Sequence, residues 1–156
     1  MIDLGELNLR YGSSIIDARD KIRNLAIAAG LDDVRSTRLA TATSEAARVL
    51  IDAKQNPRIK IYLRPSTVTP SLVIDFVQCG NCPDLPMLGY FFRYMTKIVE
   101  NDYYGLRAVE PLPEQLLNQD QFVREQHDRI TKKNREELMA EVQQKNSELL
   151  AHSAKL

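Results

Sequence analysis

The chain has 156 residues, which is long enough for one domain with its own hydrophobic core. Its 21 basic and 21 acidic residues balance, so neither nucleic acid nor an anionic membrane is favoured as a partner. No secretory leader is visible, and no apolar run reaches the roughly 18 residues that a membrane span requires, so we expect a cytoplasmic protein.

The first third of the chain is predicted to form one strand followed by two amphipathic helices. Apolar and polar residues alternate over residues 2–9, which is typical of a strand. Apolar residues then recur at helical spacing over residues 15–29, and a glycine follows them as a left-handed stop. A second helix is predicted over residues 34–54, with Asp32 or Asp33 as its N-cap. We expect these two helices to pack against each other.

The middle of the chain predicts a β-hairpin and a third helix. Residues 59–63 and 72–77 are β-rich runs separated by a connection with two prolines, so they are expected to pair. Residues 85–99 are apolar on most sides and are predicted to form a helix in the core or against a partner. Residues 103–113 are expected to be irregular or strand-like, and their prolines indicate the edge of a domain over residues 1–110.

Cys79 and Cys82 are the only cysteines, and they stand in a C-x-x-C spacing between a predicted strand and a predicted helix. Thiol–disulfide redox centres use this arrangement, and it also supplies half of a zinc site. A closed zinc site requires four ligands, and neither His127 nor His152 is near in sequence, so no metal is expected. Inert packing is favoured, while a redox pair and a zinc site shared across a dimer stay open.

From residue 114 to residue 156 the composition turns polar and charged, and the few apolar residues can form one narrow stripe. A stripe this narrow cannot cover a core, so it predicts a long coiled-coil helix that pairs with its copy; a solvated single helix is the alternative. The predicted dimer seam consists of Val123, Ile130, Asn134, Leu138, Val142, Leu149 and Leu156. Successive four-residue steps from Ile130 to Val142 break the heptad and are interpreted as a stutter. Because the pattern is unfinished, we expect the helix to continue into an output domain.

Residues 15–50, IIDARDKIRNLAIAAGLDDVRSTRLATATSEAARVL, carry three distinctive motifs. They are the Ala-Arg pair at Ala18, the A-x-x-x-G-L ending of the first helix, and the string R-x-A-T-A-x-S-E-x-A-R from Arg38 to Arg48. With these motifs the first half of the chain closely resembles the anti-sigma-factor serine kinases. These kinases are members of the GHKL ATPase superfamily, which includes the ATP-binding domains of histidine kinases. The resemblance implies an α/β (α+β) two-layer sandwich, with helices on one face of a mixed or antiparallel sheet.

The resemblance also implies a nucleotide site, and this chain departs from it. In the family, the second helix carries a Glu that polarises the attacking group and, four residues later, an Asn that holds magnesium. Glu45 matches the Glu, but Val49 stands at the Asn position and cannot bind a hard cation. The adenine-reading Asp and the two glycines of the next family motif align with Val77, Cys79 and Asn81. The glycine-rich lid has no counterpart either, so no cofactor is expected.

We therefore expect a catalytically silent, GHKL-like regulatory module. It would form a parallel homodimer and pass conformational changes through its C-terminal helix to a kinase, phosphatase or cyclase domain. Another signalling protein is a further candidate partner. One alternative is an active ATP-dependent kinase of the anti-sigma type, with Glu45 as its catalytic residue. Another is a thiol redox sensor that uses Cys79 and Cys82.

Overall fold

A computed structural model describes residues 1–155, which form five strands and five helices. The strands are β1 (Ile2–Asn8), β2 (Arg58–Arg64), β3 (Ser71–Cys79), β4 (Tyr94–Glu100) and β5 (Tyr103–Pro111). The helices are α1 (Ser14–Ala28), α2 (Asp33–Ala53), α3 (Leu88–Phe91), α4 (Gln119–Thr131) and α5 (Arg135–Lys155). None of the described helices is both long enough and apolar enough to cross a membrane.

The five strands form one sheet in the order β1-β2-β3-β5-β4, and every neighbouring pair is antiparallel. The predicted N-terminal strand and the predicted hairpin of β2 and β3 are confirmed. Together with the helices, this sheet confirms an α+β fold.

Helices α1 and α2 pack together and cover the sheet, as their apolar spacing predicts. Alanines such as Ala18 on α1 and Ala46 on α2 are buried, and their small side chains let the two helices approach closely. A carboxylate oxygen of Asp32 accepts a hydrogen bond from the Arg35 N–H at 2.8 Å, which confirms Asp32 as the N-cap of α2. Gly30 has a positive φ of 95° and ends α1 as predicted.

The two faces of the sheet differ in what they contact. Ile59, Ile61 and Leu63 of β2 are fully buried in the core that α1 and α2 share. Across the ladder they pair with Phe76, Ile74 and Leu72, so these residues of β3 belong to the same face. The alternate residues of β3, including Asp75 and Val77, therefore project to the opposite face.

The third helix predicted over residues 85–99 is wrong. Only Leu88–Phe91 is helical, the backbone is extended again at Phe92, and Tyr94–Glu100 forms the edge strand β4. β-branched residues are concentrated in this segment, and antiparallel pairing with β5 outweighs its helix-like apolar distribution. The following segment, predicted to be irregular or strand-like, is strand β5 over Tyr103–Pro111, which confirms the second alternative.

The single long helix predicted after residue 114 is also wrong, because the chain forms two helices with a break between them. Helix α4 ends at Thr131, and α5 begins at Arg135. Phe122 and Ile130 on α4 are buried in the same core as α1 and the sheet, and α4 packs against β1. The packed unit therefore extends through α4 and ends near residue 131, beyond the boundary that was predicted at residues 110–114.

Candidate functional site

Helix α2 carries the two residues that the family resemblance assigns to phosphate chemistry. Glu45 and Val49 lie one turn apart on α2, and both side chains are exposed. Their shared face agrees with the four-residue spacing that the resemblance requires. Val49 offers only methyl groups, so this face has no oxygen ligand next to Glu45 at the magnesium position.

Val77 does not join that site, because it lies on the opposite face of the sheet. It pairs with Arg58 on one side and Gly105 on the other, and it shares a face with Asp75. The carboxylate of Asp75 is fully buried, and both of its oxygens accept hydrogen bonds from the Arg107 guanidinium at 2.8 Å. Asp75 is therefore committed to an ion pair within the sheet and does not replace the missing adenine-reading carboxylate.

The buried ion pair has electrostatic consequences for its neighbours. The hydrogen bond that the Arg107 guanidinium donates to the carboxylate of Asp75 raises the pKa of Arg107. The pKa of Tyr62 is raised chiefly by burial and secondly by the negative charge of Asp75. The pair is a structural element of the β2-β3-β5 face because Asp75 is buried and Arg107 binds both of its oxygens.

The end of β3 and the loop after it hold the remaining aligned positions, Cys79 and Asn81. The side-chain amide of Gln78 donates to the carbonyl of Asn81 at 3.1 Å, and the Cys79 N–H donates to the carbonyl of Gln55 at 2.8 Å. These bonds attach the end of β3 to the loop after it and to the segment that follows α2. Asn81 is exposed, and the loop borders a cleft of about 310 Å³ that Cys82 and Lys97 also line.

The two thiols are free and half-buried, and they have different partners. The sulfur of Cys79 lies 3.9 Å from the side-chain nitrogen of Asn56. The sulfur of Cys82 lies 3.7 Å from the carbonyl oxygens of Pro83 and Gly105. Within residues 1–155, no group of three or more His, Cys, Asp or Glu side chains is arranged to hold a metal ion.

The predicted seam is divided by the break between α4 and α5. Ile130 is 1% exposed and Val123 is half-buried, and both pack within the chain itself. Leu138, Val142 and Leu149 on α5 are 50%, 55% and 64% exposed. The predicted seam residue Leu156 lies outside the described residues. The four-residue steps interpreted as a stutter therefore coincide with the junction between a docked helix and an exposed one.

Asn134, the remaining seam residue, is a capping residue at that junction. Its side-chain oxygen accepts from the Glu137 N–H at 2.9 Å, as an N-cap of α5 does. Its side-chain nitrogen donates to the Ser13 hydroxyl at 3.3 Å, and the Ser13 N–H donates to the Glu136 carboxylate at 3.2 Å. An Asn followed three residues later by Glu is an N-terminal helix signal, so the sequence did contain a signal for this break.

On the other side of the junction, a lysine of α1 binds the C-terminal end of α4. The ammonium of Lys21 donates to the carbonyl of Ile130 at 2.9 Å and to the carbonyl of Lys132. It also forms an ion pair with Asp17 at 3.1 Å. Lys21 thus satisfies carbonyls at the C-terminal end of α4 that have no partner in their own helix. No sequence pattern identified this lysine.

Comparison of the chain with models of known protein families finds no match, and a search of curated proteins also finds none. Membership of the GHKL superfamily therefore stays a prediction.

Proposed function

We propose that this chain is a non-catalytic regulatory and dimerisation module of a cytoplasmic, bacterial-type signalling protein. Helix α5 pairs in parallel with the α5 of a second copy and passes conformational change to an output kinase, phosphatase or cyclase domain. The observation that carries the proposal is the apolar stripe on α5, which is exposed although the helix is joined directly to a packed unit.

The stripe on α5 follows a heptad once α4 is set apart from it. Leu138, Val142 and Leu149 are spaced by four and seven residues, which are successive core positions of a coiled coil, with Lys145 at the intervening one. Pairing removes three large apolar side chains from water, which favours association. A lysine in the core weakens the pair and restricts its register. The helix is therefore suited to reversible dimerisation.

The residues of the aligned nucleotide site support a non-catalytic role. Phosphoryl transfer depends on magnesium and on positioned donors around the phosphates. Val49 supplies no magnesium ligand, and Val77 lies on the face of the sheet away from Glu45. A kinase mechanism would need a magnesium ligand and an adenine-binding group from residues other than Val49 and Val77.

The dimer is tested by measuring the molar mass in solution at micromolar concentration. We expect the wild-type chain to have twice its monomer mass of 17.8 kDa. Val142→Asp is expected to give the monomer, because pairing would bury two carboxylates in an apolar seam. Gln143→Asp is the matched control, since it adds the same charge outside the stripe, and it is expected to remain dimeric.

A variant with the opposite effect completes this test. Lys145→Leu fills the polar core position and is expected to tighten the dimer by about tenfold or more. A monomeric wild type, or a Val142→Asp variant that dimerises as well as the control, would contradict pairing through α5.

The non-catalytic part of the proposal is tested with nucleotide. A ligand at a hundred times its Kd adds about 2.7 kcal/mol of stability, which raises Tm by several degrees in a domain of this size. We expect millimolar magnesium-ATP to leave Tm unchanged in the wild type and equally in Glu45→Ala. A rise in Tm that Glu45→Ala abolishes would overturn this part and favour the kinase alternative.

A further inference from the structure

The break between α4 and α5 is only partly dictated by the residues that form it, because the Asn134 cap begins α5 but no local residue ends α4. Residues 131–134 are Thr, Lys, Lys and Asn, without the glycine or proline that usually ends a helix. Lys132 nevertheless adopts an extended backbone, with φ −63° and ψ 122°. The end of α4 therefore depends on contacts from elsewhere in the chain.

Those contacts come from α1 and from the residue that precedes it. Lys21 binds the carbonyls of Ile130 and Lys132, and Ser13 binds Asn134 and Glu136. We call Ser13, Lys21, Asn134 and Glu136 the clasp. In a continuous helix the Ile130 carbonyl would instead accept from the Asn134 N–H, and the carbonyls after it would accept from the following N–H groups. The clasp thus replaces helical hydrogen bonds with a comparable number of side-chain bonds.

The surroundings of the clasp allow α4 and α5 to join into one continuous helix. Ile130 is docked on β1 and need not move for residues 132–135 to become helical. The first turns of α5 adjoin residues 8–11 across a polar cleft of about 240 Å³ rather than an apolar contact. Lys133 and Glu141 form an exposed ion pair there, and such pairs contribute little stability. Release of α5 from this position therefore exposes little apolar surface.

We propose that the α4–α5 junction is a two-state element that regulates the dimerising helix. In the clasped state, seen here, α5 is a separate helix directed by α1. In the released state, α4 and α5 form one helix from Gln119 to Lys155, roughly 55 Å long at 1.5 Å per residue. This inference rests on the proposed function, because the change of direction matters only where α5 joins a second copy. An event that weakens the clasp from the α1 side would redirect both α5 helices of a dimer.

Amide hydrogen exchange tests this proposal within one chain, whatever the dimer does. In the clasped state the Arg135 and Glu136 N–H groups lie in the first turn of α5 and have no carbonyl acceptor in their own helix. In the released state they donate to Thr131 and Lys132. The double variant Lys21→Met and Asn134→Ala removes three of the four bonds of the clasp, so we expect exchange at both amides to slow by about tenfold or more.

The controls separate this proposal from the dimer and from misfolding. Arg23→Met removes a charge from the exposed side of α1 and is expected to exchange as the wild type does. Slow exchange of the β3 amides shows that a variant is folded. If the double variant does not fold, the single Lys21→Met variant is used in its place. Exchange at Arg135 and Glu136 as fast as in the wild type overturns the switch even if the protein is a dimer. A monomeric wild type with slowed exchange in the variant overturns the proposed function alone.

Discussion

Replacing Arg107 with methionine is expected to lower the free energy of unfolding by about 3–5 kcal/mol, because it leaves a buried carboxylate without its counter-ion. Asp75 is fully buried on the central strand β3, and Arg107 on β5 binds both of its oxygens at 2.8 Å. Methionine keeps much of the arginine stem but none of its donors. Urea unfolding of the wild type and the variant measures the loss.

Two controls decide whether the ion pair itself is responsible. Arg64→Met removes an exposed arginine at the end of β2 and is expected to change stability by less than about 0.5 kcal/mol. The double variant Asp75→Leu and Arg107→Met removes both charges together. It is expected to recover most of the loss, because buried pairs exchanged for apolar residues are often neutral. A loss below about 1 kcal/mol for Arg107→Met alone would show that water reaches Asp75 and replaces the arginine.

The parts of the fold that the sequence predicted are those set by local patterns. Helices α1 and α2 have apolar residues at helical spacing, and the cap at Asp32 and the stop at Gly30 lie next to them in sequence. Strand β4 was missed because it is an edge strand with apolar residues on both sides, a pattern that a short helix can share. Its identity is decided by pairing with β5, which the pattern does not contain.

In the candidate site, too, the features set by local sequence patterns were predicted and those set by distant contacts were not. Glu45 and Val49 were correctly placed on one helix face, because the helical period fixes it. The face of Val77 could not be predicted, because Leu72 to Gln78 are all buried and a strand buried on both sides has no apolar alternation. The junction before α5 has a local signal in the Asn134 cap, but the contact that fixes the end of α4 has none. Lys21, which makes that contact, lies 109 residues from Ile130 in sequence.

Gly5→Ala is expected to destabilise the protein by about 2–5 kcal/mol, through backbone strain and overpacking together. Gly5 stands at an irregularity in the pairing of β1 with β2 and has a φ of 126°, which L residues rarely adopt. A Cβ at this position would lie 2.8 Å from Cγ2 of Ile130, well inside van der Waals contact. The added methyl group therefore pushes against the residue that docks α4 on β1, and urea unfolding reports the sum of both effects.

Ile130→Leu tests the overpacking, because leucine has no methyl group on Cβ and so no Cγ2. By itself this volume-conserving change is expected to cost less than about 1.5 kcal/mol. In the I130L background, Gly5→Ala loses its tightest clash but would still meet Cγ2 of Thr131 at 3.1 Å, so it should cost less than in the wild type, with a coupling of about 1 kcal/mol or more. Equal losses in both backgrounds would show that the end of α4 does not rest on Gly5. The clasp would then rely on the other core contacts of α4, since Lys21 can direct α5 only if the carbonyl of Ile130 is held in place.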